Sequence, residues 1–186
     1  MILYLVVNKN KISPRSLSGF FKFFLKLATV FNCDNLTYFK MLKLVKVHED
    51  LPTEVIDSIK DQCVKILNNE WARSETLRLR TLNSSKEKMP MSLALVKFPE
   101  NFVVGHGKLS EIPSNRSAIF IESVVIHPDL RGQGLGKILM LKLEQFCRDK
   151  GYKIAYLCTI DMQIFYSRCG YKFCKIIAAS SGTVSG

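Results

Sequence analysis

His127-Pro-Asp-Leu-Arg-Gly-Gln-Gly-Leu-Gly136 is the stretch whose reading decides how this chain folds. It lies between an apolar run, Ile119 to Ile126, and a helical pattern, Leu135 to Lys150, with Leu135, Leu139, Leu143 and Phe146 down one side. The order is strand, glycine-rich turn, helix. Gly132, Gly134 and Gly136 remove side chains that would hold a ligand away from the backbone. The first amides of the helix are then unpaired, with the positive end of its dipole behind them. A phosphate or pyrophosphate is the natural occupant of such a turn. The competing reading is a plain flexible turn. The spacing Arg131-x-x-Gly134-x-Gly136 is neither the dinucleotide G-x-G-x-x-G nor a P-loop.

Working outward, the pattern is regular from Leu42. Leu42 to Val47 alternates as a first strand, and Thr53 to Leu67 repeats Val55, Ile59, Cys63 and Ile66 at helical spacing behind the start signal of Pro52. Asn68 to Lys88 reads as a polar, arginine-rich connection. Met91 to Phe98 and Phe102 to Leu109 form a hairpin, and Ile119 to Ile126 is the fourth strand. After the long helix, stopped by Gly151, come a fifth strand (Ile154 to Thr159), a short helix (Met162 to Arg168) and a sixth strand (Tyr171 to Ile177). The fold class is α/β, with residues 41–178 as one domain and 179–186 as a Ser/Gly tail.

Residues 1–40 differ. Gly19 to Phe31 is apolar and punctuated by Lys22 and Lys26, too short and too charged to span a membrane. The segment is expected to be a basic apolar extension, either a leader (a mitochondrial presequence or interfacial helix) or a non-native piece with Met41 as an alternative start.

A chain of 186 residues holds one compact domain with a real core. Its net charge is +11; residues 1–40 contribute +5 and the remainder +6, so the excess is not a tail effect. A basic surface suits acidic ligands, nucleic acid or an anionic membrane. No nucleic-acid module is recognisable, and neither nucleic acid nor membrane is expected as a partner. The six cysteines show neither a C-x-x-C pair nor zinc spacing, so no metal is expected and a reduced compartment fits best.

The loop spacing resembles the coenzyme A pyrophosphate loop of GCN5-related N-acetyltransferases, Q/R-x-x-G-x-G/A. Glu122-Ser-Val-Val-Ile-His-Pro128 before it and Phe165-Tyr166-Ser-Arg-Cys-Gly-Tyr171 after it agree. The resemblance implies a mixed, mostly antiparallel sheet flanked by helices, with splayed fourth and fifth strands and acetyl-CoA as cosubstrate. It implies that Arg131, Gly132, Gln133, Gly134, Leu135, Gly136 and Lys137 hold the pyrophosphate. The backbone of Val124, Val125 and Ile126 would take the pantetheine arm and the acetyl carbonyl. Tyr166 becomes the general acid toward the leaving thiolate, with a core tyrosine as the alternative. In that family a seventh strand pairs beside the fifth. The tail after Ile176 is weakly patterned, so the last strand is expected to be missing and the sheet edge open. A coenzyme A-binding but inactive form is therefore kept as an alternative.

For the base, Glu122 is a carboxylate within an apolar strand, which is unusual unless paired or functional. It is favoured over His106, which reads more readily as a structural histidine. Trp71-Ala-Arg-Ser-Glu-Thr-Leu-Arg-Leu-Arg80 closely resembles the actin N-terminal acetyltransferases, as do Asn69-Glu70-Trp71, Val104-Gly105-His106 and Leu157-Cys-Thr-x-Asp161. That resemblance runs from about Leu42 to Phe173. It implies acetylation of acidic N-termini, processed actin above all, in the cytoplasm or, were residues 1–40 a true presequence, in mitochondria. Trp71, Arg73, Ser74 and Arg78 would form the substrate pocket, lined by Thr159 and Asp161. Arginine forks bind carboxylates in bidentate fashion. An acetyltransferase of another amine is the alternative. Vertebrate members carry a proline-rich, profilin-binding insert; the six prolines here are scattered, so no profilin docking is inferred, and a monomer is expected.

Overall fold

The computed structural model describes residues 3–8, 38–48 and 51–174. Seven strands form one sheet: β1 (Leu3–Asn8), β2 (Leu42–Lys46), β3 (Met91–Lys97), β4 (Phe102–Glu111), β5 (Ala118–Ile126), β6 (Ile154–Thr159) and β7 (Lys172–Phe173). Beside it, among the described residues, lie α1 (Thr53–Glu70), α2 (Glu75–Asn83), α3 (Leu135–Asp149) and α4 (Gln163–Arg168), with single helical turns at residues 38–41 and Pro128–Leu130. The strand order is β2-β3-β4-β5-β6-β1-β7, antiparallel throughout except for β5 and β6.

Alternation along the strands sorts the core into two layers. Leu93, Leu95, Leu109, Ile119, Ile121 and Leu157 pack with Leu135, Leu139 and Leu143 of α3 and Tyr166 of α4. On the other face, Ala94, Val96, Val103 and Val125 pack with Ile56, Ile59, Cys63 and Ile66 of α1 and Leu82 of α2. β3, one strand in from the edge, is buried on both faces, as its apolar sequence requires.

Three features depart from the sequence expectation. The polar stretch after Asn68 contains a helix, α2, and α1 runs on to Glu70. The expectation that residues 1–40 stand outside the domain fails for Leu3–Asn8, and the place beside β6, expected to be an open edge, is filled by β1. Leu5 and Val7 are buried in the α3 layer, so this strand is held by core packing as well as by its ladder. The presequence reading of 9–37 and the tail 179–186 lie outside the described residues, as does the end of the sixth strand, of which Lys172–Phe173 is described.

Candidate active site

The site grows from two interruptions of β5. Ladder pairing with β6 covers Ala118, Ile119 and Phe120 against Ile154, Ala155 and Tyr156, and stops there. From Ile121 to Ile126, β5 pairs with no strand on its β6 side among the described residues, which is the expected splay. The β4–β5 register also shifts between His106/Val125 and Lys108/Glu122, where Ser123 adopts φ +53°. That bulge re-aims the strand next to the cleft, and it bears on Val124, Val125 and Ile126. Ile126 and Val125 pair toward β4 with Gly105 and His106, leaving the cleft side of this backbone to a ligand.

At the C-terminal end of β5, the turn from Pro128 to Gly134 leads into α3. Gly134 caps the helix at φ +78°, a conformation that costs a side chain. Gly136 has a different task. A Cβ there would lie 3.2 Å from Cζ of Phe165, so its missing side chain lets α3 and α4 approach. The amides of Leu135 and Gly136 stand at the helix start, where Lys137 N is the first to bond back, at 3.1 Å to Gly134 O. Arg131 donates from Nε to Ile126 O at 3.2 Å and from Nη2 to Glu70 Oε2 at 2.7 Å. This turn and the β5 backbone fit a pyrophosphate with a pantetheine arm: donors cluster at one end and an unpaired strand edge continues from them.

Tyr166 is 8 % exposed, packed edge-on against Phe165 (5.0 Å) and Tyr171 (5.9 Å). Burial, with smaller effects from Cys169, Cys158 and Asp161, pushes its phenol up to about 12. It stays protonated throughout the neutral range.

Glu122 is half-buried. Its Oε1 accepts from Ser110 Oγ at 2.5 Å and lies 3.1 Å from Lys108 Nζ. His106 is 1 % exposed, and burial lowers its imidazole to about 4. Nδ1–H donates to Ser123 O at 3.1 Å, at the bulge; Nε2 is therefore the acceptor, buried with no partner among the described residues. Both base candidates thus lie on the α1/α2 face of β4 and β5.

The α1–α2 connection carries the expected substrate residues in unequal states. Trp71 (45 % exposed), Arg73 and Ser74 are exposed. Arg78 sits on α2 and is buried. Its Nε donates to Asn68 Oδ1 at 3.1 Å and its Nη2 to the carbonyl of Trp71, so it braces the connection from beneath. Desolvation, with Arg73 nearby, lowers its guanidinium. Arg80 is exposed in the last turn of α2. Thr159 is buried and its Oγ1 accepts from Met162 N at 3.0 Å, holding the turn into α4; Asp161 is exposed near Tyr166. The sequence reading passed over Asn68, Lys108, Ser110 and Cys158. The i, i+2 spacing of His106, Lys108 and Ser110 was the available signal, since it puts all three on one strand face.

No group of three or more His, Cys, Asp or Glu is arranged for a metal among the described residues. No helix among them is long and apolar enough to cross a membrane.

Comparison with known proteins adds the following. The mouse protein N-alpha-acetyltransferase 80 is 35% identical over 115 residues, covering 59% of this chain and 37% of the mouse protein. Rice glucosamine 6-phosphate N-acetyltransferase 1 is 36% identical over 52 residues, covering 27% of this chain and 32% of its own. This chain therefore spans about a third of the length of these curated relatives. An aminoglycoside N-acetyltransferase solved in complex with CoA superimposes with a TM-score of 0.57 at 13% identity, over 73% of this chain and 91% of that one. Residues 57–171 match the model of the acetyltransferase (GNAT) family. With the splayed strands, the glycine-capped helix and the match across most of the described domain, this chain belongs to that family.

Proposed function

We propose that this protein transfers acetyl from acetyl-CoA to the α-amine of acidic protein N-termini, processed actin being the foremost candidate. The observation that carries the reading is the connection between α1 and α2. It presents Trp71, Arg73 and Ser74 at the surface, with a second arginine, Arg78, locked beneath them. The exposed Arg73 guanidinium suits a carboxylate, and the buried charge of Arg78 beneath it adds to the repulsion of a cationic amine side chain. The 35% identity to N-alpha-acetyltransferase 80 supports the same choice. Cytoplasmic location as a monomer goes with it.

Acetyl-CoA supplies an acetyl group activated as a thioester. The amides at the start of α3 and the turn Arg131 to Lys137 would hold its pyrophosphate, and the β5 backbone its arm. An amide of β5 aimed at the carbonyl oxygen where charge develops is worth about 10²–10³ in rate. An α-amine titrates near 8, so a modest acceptor suffices to deprotonate it. Glu122 fills that role through a water on Oε2, since its two protein partners both bind Oε1. Tyr166, at about 12, is a weaker acid than a thiol near 8.5, so outright proton donation runs uphill. Its hydroxyl instead holds the departing sulfur by a hydrogen bond.

The test is acetyl-CoA turnover on peptides beginning Asp-Asp-Asp, Glu-Glu-Glu, Ser-Ala and Met-Leu, with glucosamine 6-phosphate alongside. Acetylation confined to the acidic pair supports the reading. Turnover of the sugar phosphate alone replaces it with the alternative acceptor class, since arginines also bind phosphate. Coenzyme A binding with no turnover of any acceptor marks an inactive form.

A further inference from the structure

We infer that strand β1 supplies an acceptor-binding residue, Tyr4, to the site; this rests on the reading of acidic N-termini as acceptors. The sheet register carries the argument. Lys108 pairs with Glu122 across β4 and β5, and Cys158 pairs with Tyr4 across β6 and β1. Phe120 and Tyr156 pair across the last rung before the splay. Glu122 and Cys158 each lie two residues further along and so share the same face. Lys108, Glu122, Cys158 and Tyr4 therefore form one row across four strands. The Cys158 thiol is raised by burial and, to a smaller degree, by the charge of Glu122 across the splay.

This row lies on the face opposite α3. Leu5 and Val7 of β1 are buried in the α3 layer, which turns Tyr4 and Val6 the other way. Both are only half-buried there, as is Tyr156 beside Val6. The helix that covers this face, α1, packs on β4 and β5. Tyr4 is thus a partly exposed aromatic at the far end of the row that begins at the base candidate's own ion pair.

Paired strands lie about 4.8 Å apart, and β5 and β6 have already parted at this row, so Tyr4 stands at least two strand spacings, about 10 Å or more, from Glu122. An extended peptide advances about 3.3 Å per residue. With its α-amine at Glu122, an acceptor crossing the row carries its third residue about 7 Å along, within reach of the Tyr4 side chain. A tyrosine there offers a ring edge to the peptide and a hydroxyl donor to an acidic side chain.

The experiment uses the full chain and compares steady-state kinetics on Asp-Asp-Asp and Asp-Asp-Gly peptides for wild type, Tyr4→Ala and Tyr4→Thr. The threonine variant keeps strand propensity should alanine loosen β1. The expected result is a five- to tenfold rise in acceptor KM for Asp-Asp-Asp, loss of the preference over Asp-Asp-Gly, and an acetyl-CoA KM within twofold of wild type. Unchanged discrimination between the two peptides in a folded Tyr4 variant overturns the assignment alone. A wild type that turns over neither peptide overturns the acidic-acceptor reading and the assignment with it.

Discussion

Arg131 Nη2 and Glu70 Oε2 stand 2.7 Å apart, joining the glycine-rich turn before α3 to the last residue of α1, where the arginine-bearing connection begins. The proposed cofactor turn and the proposed acceptor connection are therefore braced against each other by one ion pair. Both side chains are more than a third exposed, which limits the pair to about 0.2–1 kcal/mol.

Glu70→Ala is accordingly expected to raise KM for both cosubstrates about two- to fivefold, with little change in melting temperature. High salt should shrink the difference between variant and wild type. Kinetics at 50 and 500 mM salt, as working concentrations of about those orders, check it; an effect on acetyl-CoA alone would mean the brace does not reach the acceptor side.

The two glycines of the turn should fail differently. Gly134→Ala forces a side chain into φ +78° and is expected to cost about 1–2 kcal/mol of stability and to weaken coenzyme A binding. Gly136→Ala keeps an ordinary helical backbone but presses on Phe165, next to Tyr166. It should lower kcat about three- to tenfold, at a cost near the 1–3 kcal/mol of overpacking. Calorimetric binding of coenzyme A alongside kcat separates the two.

Tyr166→Phe removes a hydroxyl that bonds no other group among the described residues, while keeping the ring contacts with Phe165 and Tyr171. Stability should hold or rise slightly, and kcat should fall about 10- to 100-fold, the worth of one charge-assisted hydrogen bond to the leaving sulfur. An unchanged kcat would return Tyr166 to the core.

His106 sets a pH dependence of stability. Its folded pKa is about 4 against 6.5 unfolded, so between those values the unfolded chain binds the proton and the folded one does not. Stability is full above about pH 6.5, falls as pH drops toward 4, and levels off below, with about 3 kcal/mol at stake. The hydrogen bond to the Ser123 carbonyl opposes burial, the charges of Lys108 and Arg78 lower this imidazole further, and that of Glu122 raises it. His106→Gln should flatten the slope in that window, measured by urea denaturation from pH 4 to 7.

Much of this site could be read from residue order. The turn from His127 to Gly136 is legible because strand, glycine spacing and helix start are local signals. Glu122, by contrast, stood out as a carboxylate in an apolar strand, and its pairing with Lys108 and Ser110 explains how it is tolerated there. The helix α2 was missed because its inward face is built from Arg78 and Leu82, which leaves no apolar period to detect. Strand β1 was missed for another reason. Leu3 to Asn8 is apolar enough to pass for a leader, and nothing local says that Leu3 pairs with Thr159.

That pairing fixes an order of events. Leu3–Asn8 leaves the ribosome ahead of every other described element, yet the strands on either side of it, β6 and β7, come last. Closing so long a loop is entropically slow and contributes to folding late. During synthesis a short, strand-forming apolar segment must wait unpaired while the rest of the sheet is made, and such edges invite association. The row that holds Tyr4 is therefore complete only once the chain has been made through β6, so a strand made before the other described elements is among the last to take its place.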